Sequence, residues 1–394
     1  MVTILHVSDM QFGAQHRFGR LGLGGADEAF DTLLRRLTDD LDRMRDEEGI
    51  MPDLVALTGD LAEWARPKEY ADVLQFCEGL RAHLQLAADR LLVIPGNHDV
   101  NRDHCQSYFA YCAGNDEAPQ EPWWPKWGPY TNFFGKLYGA VERYEFKELA
   151  PYTWFELPEL KVVVAGLNST MRESHEDRDP GDPASIFGHY GYLGEAQLDW
   201  FGRKLDDAAH KGWLRIGLVH HNAQRNAVDD DENLRDVGML VDRLGGRLNL
   251  LLHGHTHRGT LGWLRRDLPV ISTGSAGVKA GQRPEEVPNQ YQIVQVGPAG
   301  FRCWARQYTP AARKWIGDTR VSQDGSDWRH AHEVAFPRTS GTFGTRESRG
   351  RPGASPFASD DEEEDPHRRA REANDLVAQV MASCRVRDEA GQVQ

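Results

Sequence analysis

The chain has 394 residues, 40% hydrophobic and 27% charged, enough for two or three units or one large domain with appendages, and not disordered throughout. Its longest apolar runs, such as Leu91 to Pro95 and Val162 to Leu167, fall far short of the roughly 20 residues that cross a bilayer, which excludes a membrane-spanning chain. Lys and Arg total 46 against 60 Asp and Glu, and the net charge of −14 disfavours a broad electrostatic grip on nucleic acid while allowing a local cationic or metal-lined pocket.

A first strand is predicted at Thr3 to Val7, entered without the basic region and apolar stretch of a secretory signal, so a cytoplasmic location is expected. Phe30, Leu33, Leu34, Leu37, Leu41 and Met44 then recur at helical spacing, as do Tyr70, Val73, Leu74, Cys77, Leu80 and Leu84 after a second strand at Leu54 to Thr58. A third strand at Leu91 to Ile94 precedes an aromatic-rich stretch, about 101–158, with Trp123, Trp124, Trp127, Tyr130, Phe133, Phe134 and Trp154. It reads as an inserted cap or large loop whose aromatics either pack onto the core or, for one or two of them, stack on a substrate.

Strands are predicted again at Lys161 to Leu167, Leu214 to Val219, Leu248 to Leu252 and Pro269 to Thr273, with helices over Leu198, Phe201, Leu205 and over Leu234, Val237, Val241, Leu244 between them. Two more strands, Tyr291 to Val296 and Phe301 to Tyr308, follow without a helix and should form an antiparallel end to a sheet. The alternation means an α/β layered domain over residues 1–337. Residues 338–365 turn to Ser, Gly, Pro and Arg and then to the acidic run Asp360 to Asp365, a linker composition. Within 366–394, Pro366 at a first helical position and the apolar face Ala373, Leu376, Val377, Val380, Met381, Cys384 predict a short amphipathic helix that docks on its own domain or on a protein partner. The five cysteines are odd in number, scattered and without CxxC spacing, so reduced thiols are expected.

Strand after strand ends in a polar cluster: Ser8-Asp9-Met10-Gln11, Gly59-Asp60-Leu61, Gly96-Asn97-His98-Asp99, His220-His221-Asn222 and His253-Gly254-His255-Thr256-His257. Ligands of open α/β sheets sit at the carboxyl ends of strands, so the five can converge. Any one alone is as well read as a turn residue or a satisfied histidine. Together they are hard oxygen and imidazole donors without a thiolate, a set suited to Mn, Fe, Co, Ni, Zn or Mg.

The order and spacing of these blocks resemble the calcineurin-like metallophosphoesterase superfamily, whose pattern is Asp-x-His, Gly-Asp, Gly-Asn-His-Asp/Glu, His and Gly-His-x-His. The resemblance implies a four-layer αββα sandwich of two mixed sheets flanked by helices, with two divalent ions, Mn foremost. It places Asp9, Gln11, Asp60 and His257 on one ion and Asp60, Asn97, His220 and His255 on the other, with Asp60 bridging. Gln11 stands where the family usually has His, as in the branch that hydrolyses ADP-ribose and CDP-alcohols, which makes a nucleotide diphosphate a credible substrate. The stretches from Asp53 to Ala62 and from Pro95 to Arg102 also resemble bacterial stand-alone phosphoesterases and those that serve as effector modules.

Two such ions lower the pKa of a water and clamp phosphoryl oxygens for in-line attack. His98 is then the natural general acid, with Asp99 expected to orient its ring. His221, Asn168, Ser169 and Arg102 are candidates to contact substrate, and His253 is expected to be structural or to lie behind the ligands. The leading expectation is a phosphodiesterase acting on nucleotides or other phosphorylated small molecules. A nuclease on DNA or RNA and a non-catalytic binding scaffold of the same fold are the alternatives.

Overall fold

The computed structural model describes residues 1–19, 32–176, 190–224, 233–265, 267–297, 299–320 and 332–335. The expected linker at 338–365 and terminal helix within 366–394 lie outside the described residues, as does Phe30 of the first helical pattern. In chain order the elements are β1 (Val2–Val7), α1 (Leu33–Glu48), β2 (Leu54–Thr58), α2 (Pro67–Leu84), β3 (Leu91–Ile94), α3 (Arg102–Gly114), α4 (Gly128–Tyr138), β4 (Thr153–Leu157) and β5 (Val162–Gly166). There follow α5 (Glu195–His210), β6 (Leu214–Leu218), α6 (Val237–Leu244), β7 (Leu250–His253), β8 (Thr260–Trp263), β9 (Pro269–Ser272), β10 (Gln290–Gly297), β11 (Gly300–Thr309), β12 (Lys314–Gly317) and β13 (His332–Ala335).

The first sheet runs β12-β11-β10-β1-β2-β3, with β13 also on β11; β1, β2 and β3 are parallel, and β10 to β13 form the expected antiparallel end. The second runs β4-β5-β6-β7-β9-β8, parallel except at its two edges. Strand parity builds the layers. Along β5, Val162 and Val164 enter the core shared with the first sheet, while Val163 and Ala165 face the core beneath α5 and α6. Along β7, Leu250 and Leu252 point one way and Leu251 the other. Each parallel strand is buried on both faces, so its sequence reads as an unbroken apolar run.

The helices flank this double sheet. Thr32 caps α1 through Arg35 N–H, Leu33, Leu37, Leu41 and Met44 bury one face, and Gly49, in the left-handed region at φ 67°, closes the helix. Asp40 of α1 accepts from Arg306 Nε and Nη2 on β11, both at 2.8 Å, from Tyr291 Oη on β10 at 2.6 Å, and from Arg43. That fixes α1 to the first sheet. Among the described residues, no helix is long and apolar enough to cross a membrane.

The insert departs from expectation in two ways. It contains two helices, α3 and α4, and residues 153–157 belong to the second sheet as its edge strand β4, so the insert ends before them. Helix α3 buries only Cys105 and Cys112, which leaves no apolar stripe to read in the sequence. Trp123, Trp127, Tyr130, Phe133 and Phe134 are buried among one another and are not presented to a ligand. Lys126 is fully buried with them, donating to the carbonyls of Thr170 (2.8 Å), Met171 (2.9 Å) and Glu173 (2.8 Å). It ties the insert to the loop that follows β5. The described cysteines, Cys77, Cys105, Cys112 and Cys303, are free and buried.

Candidate metal centre

The first two motifs continue the β1–β2 pairing past the strand ends. Asp9 N–H donates to Gly59 O (3.1 Å), Gln11 N–H to Asp60 O (2.9 Å) and Phe12 N–H to Leu61 O (2.9 Å), which brings the two carboxylates side by side. Five of the carried-over ligand residues, Asp9, Gln11, Asp60, His255 and His257, have left-handed backbones with φ of 52°, 42°, 53°, 68° and 51°. Such conformations cost free energy in residues with a Cβ and persist where the surroundings enforce them. The glycines beside them permit the close approach: a Cβ at Gly96 would collide with Asp60, and one at Gly254 with Ser8 and Asp9.

Two ligand groups result, and they share one carboxylate. Asp9, Asp60 and His257 converge in the first, and Asp60, His220 and His255 in the second. His220 donates Nδ1–H to Thr58 O (2.7 Å), which leaves Nε2 as a lone pair 3.0 Å from Asn97 Oδ1, 3.3 Å from Asp60 Oδ1 and 3.2 Å from His255 Nδ1. His255 Nδ1 is itself 3.2 Å from Asn97 Oδ1. Likewise His257 gives Nδ1–H to Gln282 O (2.9 Å) and holds Nε2 3.1 Å from Asp9 Oδ1. These tautomers follow from the hydrogen-bond network.

Buried acceptors facing acceptors repel unless a positive charge lies between them. Without one, protons must serve. Burial opposes the charged form of His220, yet Asp60 beside it raises the imidazole to about 9. Burial would lift the Asp60 and Asp9 carboxyls, but the histidines around them hold both below the usual range. His255, buried beside His220, falls to about 3 and stays a neutral donor. A pair of divalent cations answers this donor set of carboxylate, amide oxygen and imidazole, so the residues fit the group.

Gln11 lies at the first group, donating Nε2–H to Asp60 Oδ2 at 3.3 Å, and turning the amide over presents Oε1 in its place. His98, half-buried, donates its backbone N–H to Asp60 Oδ1 (2.9 Å) and Nδ1–H to Glu63 O (2.8 Å), which leaves Nε2 for a substrate. The expectation that Asp99 orients this ring is overturned. Asp99 accepts instead from the backbone N–H groups of Leu61 (3.1 Å), Ala62 (3.2 Å) and Gly96 (2.9 Å) and from Tyr70 Oη (2.8 Å). It splices the second and third motifs together, and the Glu63 carbonyl sets the His98 tautomer.

Asn168 is likewise corrected, because its side chain is spent on a turn: Nδ2 donates to Pro151 O, and Oδ1 accepts from Thr170 N and Oγ1. Ser169 Oγ meets His221 Nδ1 at 2.7 Å, and the fully buried His221 ring packs 4.7 Å from that of His255. Arg102 is drawn to the buried Glu173 carboxylate at 2.8 Å. His253 lies inside the sandwich, outside both groups, and burial lowers it to about 4. Sequence reasoning missed Glu63, Thr58 and Gln282, which act here through backbone carbonyls that leave no side-chain signal. It also missed His6, whose position inside a strand gave it no motif.

Residues 2–259 match the profile of the calcineurin-like phosphoesterase family. No curated protein matches the sequence. Among solved structures, a dimetal phosphatase from Danio rerio is similar at 12% identity, with 80% of this chain and 98% of that one covered and a TM-score of 0.48. The anchor of the inner membrane complex of Plasmodium is similar at 8% identity, with coverage of 91% and 99% and a TM-score of 0.44.

Proposed function

The chain belongs to the calcineurin-like phosphoesterase family and is a metal-dependent phosphoesterase; from that premise we propose that it hydrolyses nucleotide phosphodiester or diphosphate bonds, with Mn as the favoured ion and His98 as general acid. Asp9, Gln11, Asp60 and His257 would hold one ion and Asp60, Asn97, His220 and His255 the other. When bound, the ions supply a nucleophile at neutral pH by lowering the pKa of a water, and they offset phosphoryl charge.

The chain's own residues supply the rest. His98 hangs on Asp60 Oδ1 through its backbone and on Glu63 O through Nδ1, so its ring has one orientation and one nitrogen to offer. That ring, fixed through Nδ1 on a residue whose backbone is bonded to the shared carboxylate, carries the reading. In hydrolysis a P–O bond forms to water oxygen, the bond to the leaving oxygen breaks, and the leaving oxygen takes a proton. An alkoxide needs that proton in the transition state, and His98 Nε2 would give it. Gln11 in place of His, with its resemblance to hydrolases of nucleotide diphosphates, supports the nucleotide class. The net charge of −14 favours a small nucleotide over long DNA or RNA.

The test is His98→Ala on two substrates. Activity should fall by about a hundredfold or more on a nucleoside or alkyl ester and far less on a nitrophenyl ester, whose leaving group departs unaided. Equal losses on both, with metal content unchanged, contradict proton donation by His98.

A further inference from the structure

Trp64 is 49% exposed, and its indole is nevertheless fixed: Nε1–H donates to Glu63 Oε1 at 3.0 Å and its backbone N–H to Glu69 Oε2 at 2.9 Å. Glu63 is buried, and its other carboxylate oxygen accepts Gln15 N–H at 2.8 Å, in the loop that begins with Asp9 and Gln11. A Cβ at Gly13 would collide with that carboxylate, so the loop and Glu63 are built against each other. The Glu63 carbonyl in turn receives His98 Nδ1–H at 2.8 Å. Trp64 thus follows directly in the chain on the atom that orients His98.

Single exposed hydrophobics are ordinary on a protein surface. Met1, Met51, Tyr111, Leu149 and Trp263 are others here, and none is coupled in this way to the proposed acid. An indole whose polar edge is already satisfied by a buried carboxylate loses little freedom when a second ring stacks on its face. The general acid also marks one side of the site. The oxygen that His98 protonates belongs to the leaving group, so the leaving group lies on the His98 side, and Trp64 is joined to that side through Glu63, whose carbonyl holds His98 Nδ1 and whose carboxylate holds the indole.

We infer that the face of Trp64 seats the substrate's leaving group and selects phosphodiesters whose leaving alcohol carries a planar aromatic ring, a nucleoside above all. This rests on the reading of His98 as acid and names the part of the substrate that the His98 side recognises. Stacking is tolerant of which base is present, so the selection separates aromatic from aliphatic alcohols rather than one base from another.

The experiment uses the full Mn-loaded chain and two alcohols, adenosine and methyl ribofuranoside, which differ by the base. Each is measured by calorimetry and as an inhibitor of bis(p-nitrophenyl) phosphate hydrolysis. Adenosine should bind the wild type about tenfold more tightly than the riboside, Trp64→Ala should erase that advantage, and Trp64→Phe should restore most of it. No advantage for adenosine in the wild type, or one that survives Trp64→Ala, overturns the assignment. If the diester is cleaved and adenosine shows no preference, Trp64 fails alone. If adenosine binds in a Trp64-dependent way and no diester is cleaved, the phosphodiesterase reading fails alone.

Discussion

Two buried aspartates, Asp40 and Asp60, show what distinguishes a structural charge from a working one. Around Asp40 every neighbour is a donor: Arg306 with two N–H groups, Tyr291 with its hydroxyl, and Arg43. Around Asp60 the neighbours include other acceptors, with His220 Nε2 3.3 Å from its Oδ1 and Asn97 Oδ1 a further 3.0 Å on. The backbone differs too. Asp40 sits inside a regular helix, whereas Asp60 is held at φ 53°. The first region is complete as folded, and the second is complete only with cations supplied from outside.

The largest expected effect breaks the second region. Asp60→Asn should lower turnover by about a thousandfold or more, ~4 kcal/mol in the transition state, and abolish two-ion occupancy, because the one carboxylate shared by both groups is gone. The metal-free variant should also lose some stability, because the histidines that hold the Asp60 carboxyl below its usual range lose their partner. Metal analysis and chelator-treated melts check both. Asp40→Asn should do the reverse. It leaves Arg306 buried without its carboxylate and should cost roughly 3–5 kcal/mol in denaturant unfolding, with turnover per folded molecule and metal content retained.

A smaller effect lies beneath the metal centre. His6 Nδ1, His253 Nε2, Thr273 Oγ1 and Gln292 Oε1 are buried with no hydrogen-bond partner among the described residues. Burial, with His253 nearby, lowers His6 to about 3 from 6.5. The unfolded chain therefore binds a proton that the folded one refuses, so this contribution is whole above pH 6.5 and is lost as pH falls below it. At pH 5 the loss amounts to about 2 kcal/mol. Chelator-treated wild type and His6→Asn, melted between pH 7 and 5, should converge in stability by that amount. Parallel curves would mean that His6 takes up its proton in the folded state. The smallest effect sharpens the first ligand group: Gln11→His should tighten it by about tenfold, roughly 1.4 kcal/mol, for ions that favour imidazole. Unchanged affinity for every ion would show that Gln11 does not touch the metal.

The parallel strands and both well-patterned helices before β3 were legible because burial on two faces writes a continuous apolar run and an amphipathic helix a 3.6-residue stripe. Edge strands β4, β8 and β12 were not. Short and half-solvated, they carry too few residues to show a period, and β4 was absorbed into the aromatic stretch before it. At the site, the converging residues stand at strand ends, and Asp60, Asn97 and His255 directly follow glycines, a pairing of chemistry with permissive backbone that is visible in a sequence. The supports were illegible for a different reason. Glu63 O, Thr58 O and Gln282 O orient three histidines through main-chain atoms that every residue possesses, and Asp99 was misassigned because adjacency in sequence to His98 is not adjacency of their side chains.

The central claim is that this set of acceptors exists to hold two cations through Asp60, and anomalous diffraction from crystals grown with Mn tests it most directly. Two peaks are expected, one among Asp9, Gln11, Asp60 and His257 and one among Asp60, Asn97, His220 and His255, both in contact with the Asp60 carboxylate. No peak at these residues, or a single peak that leaves Asp60 untouched, would contradict it.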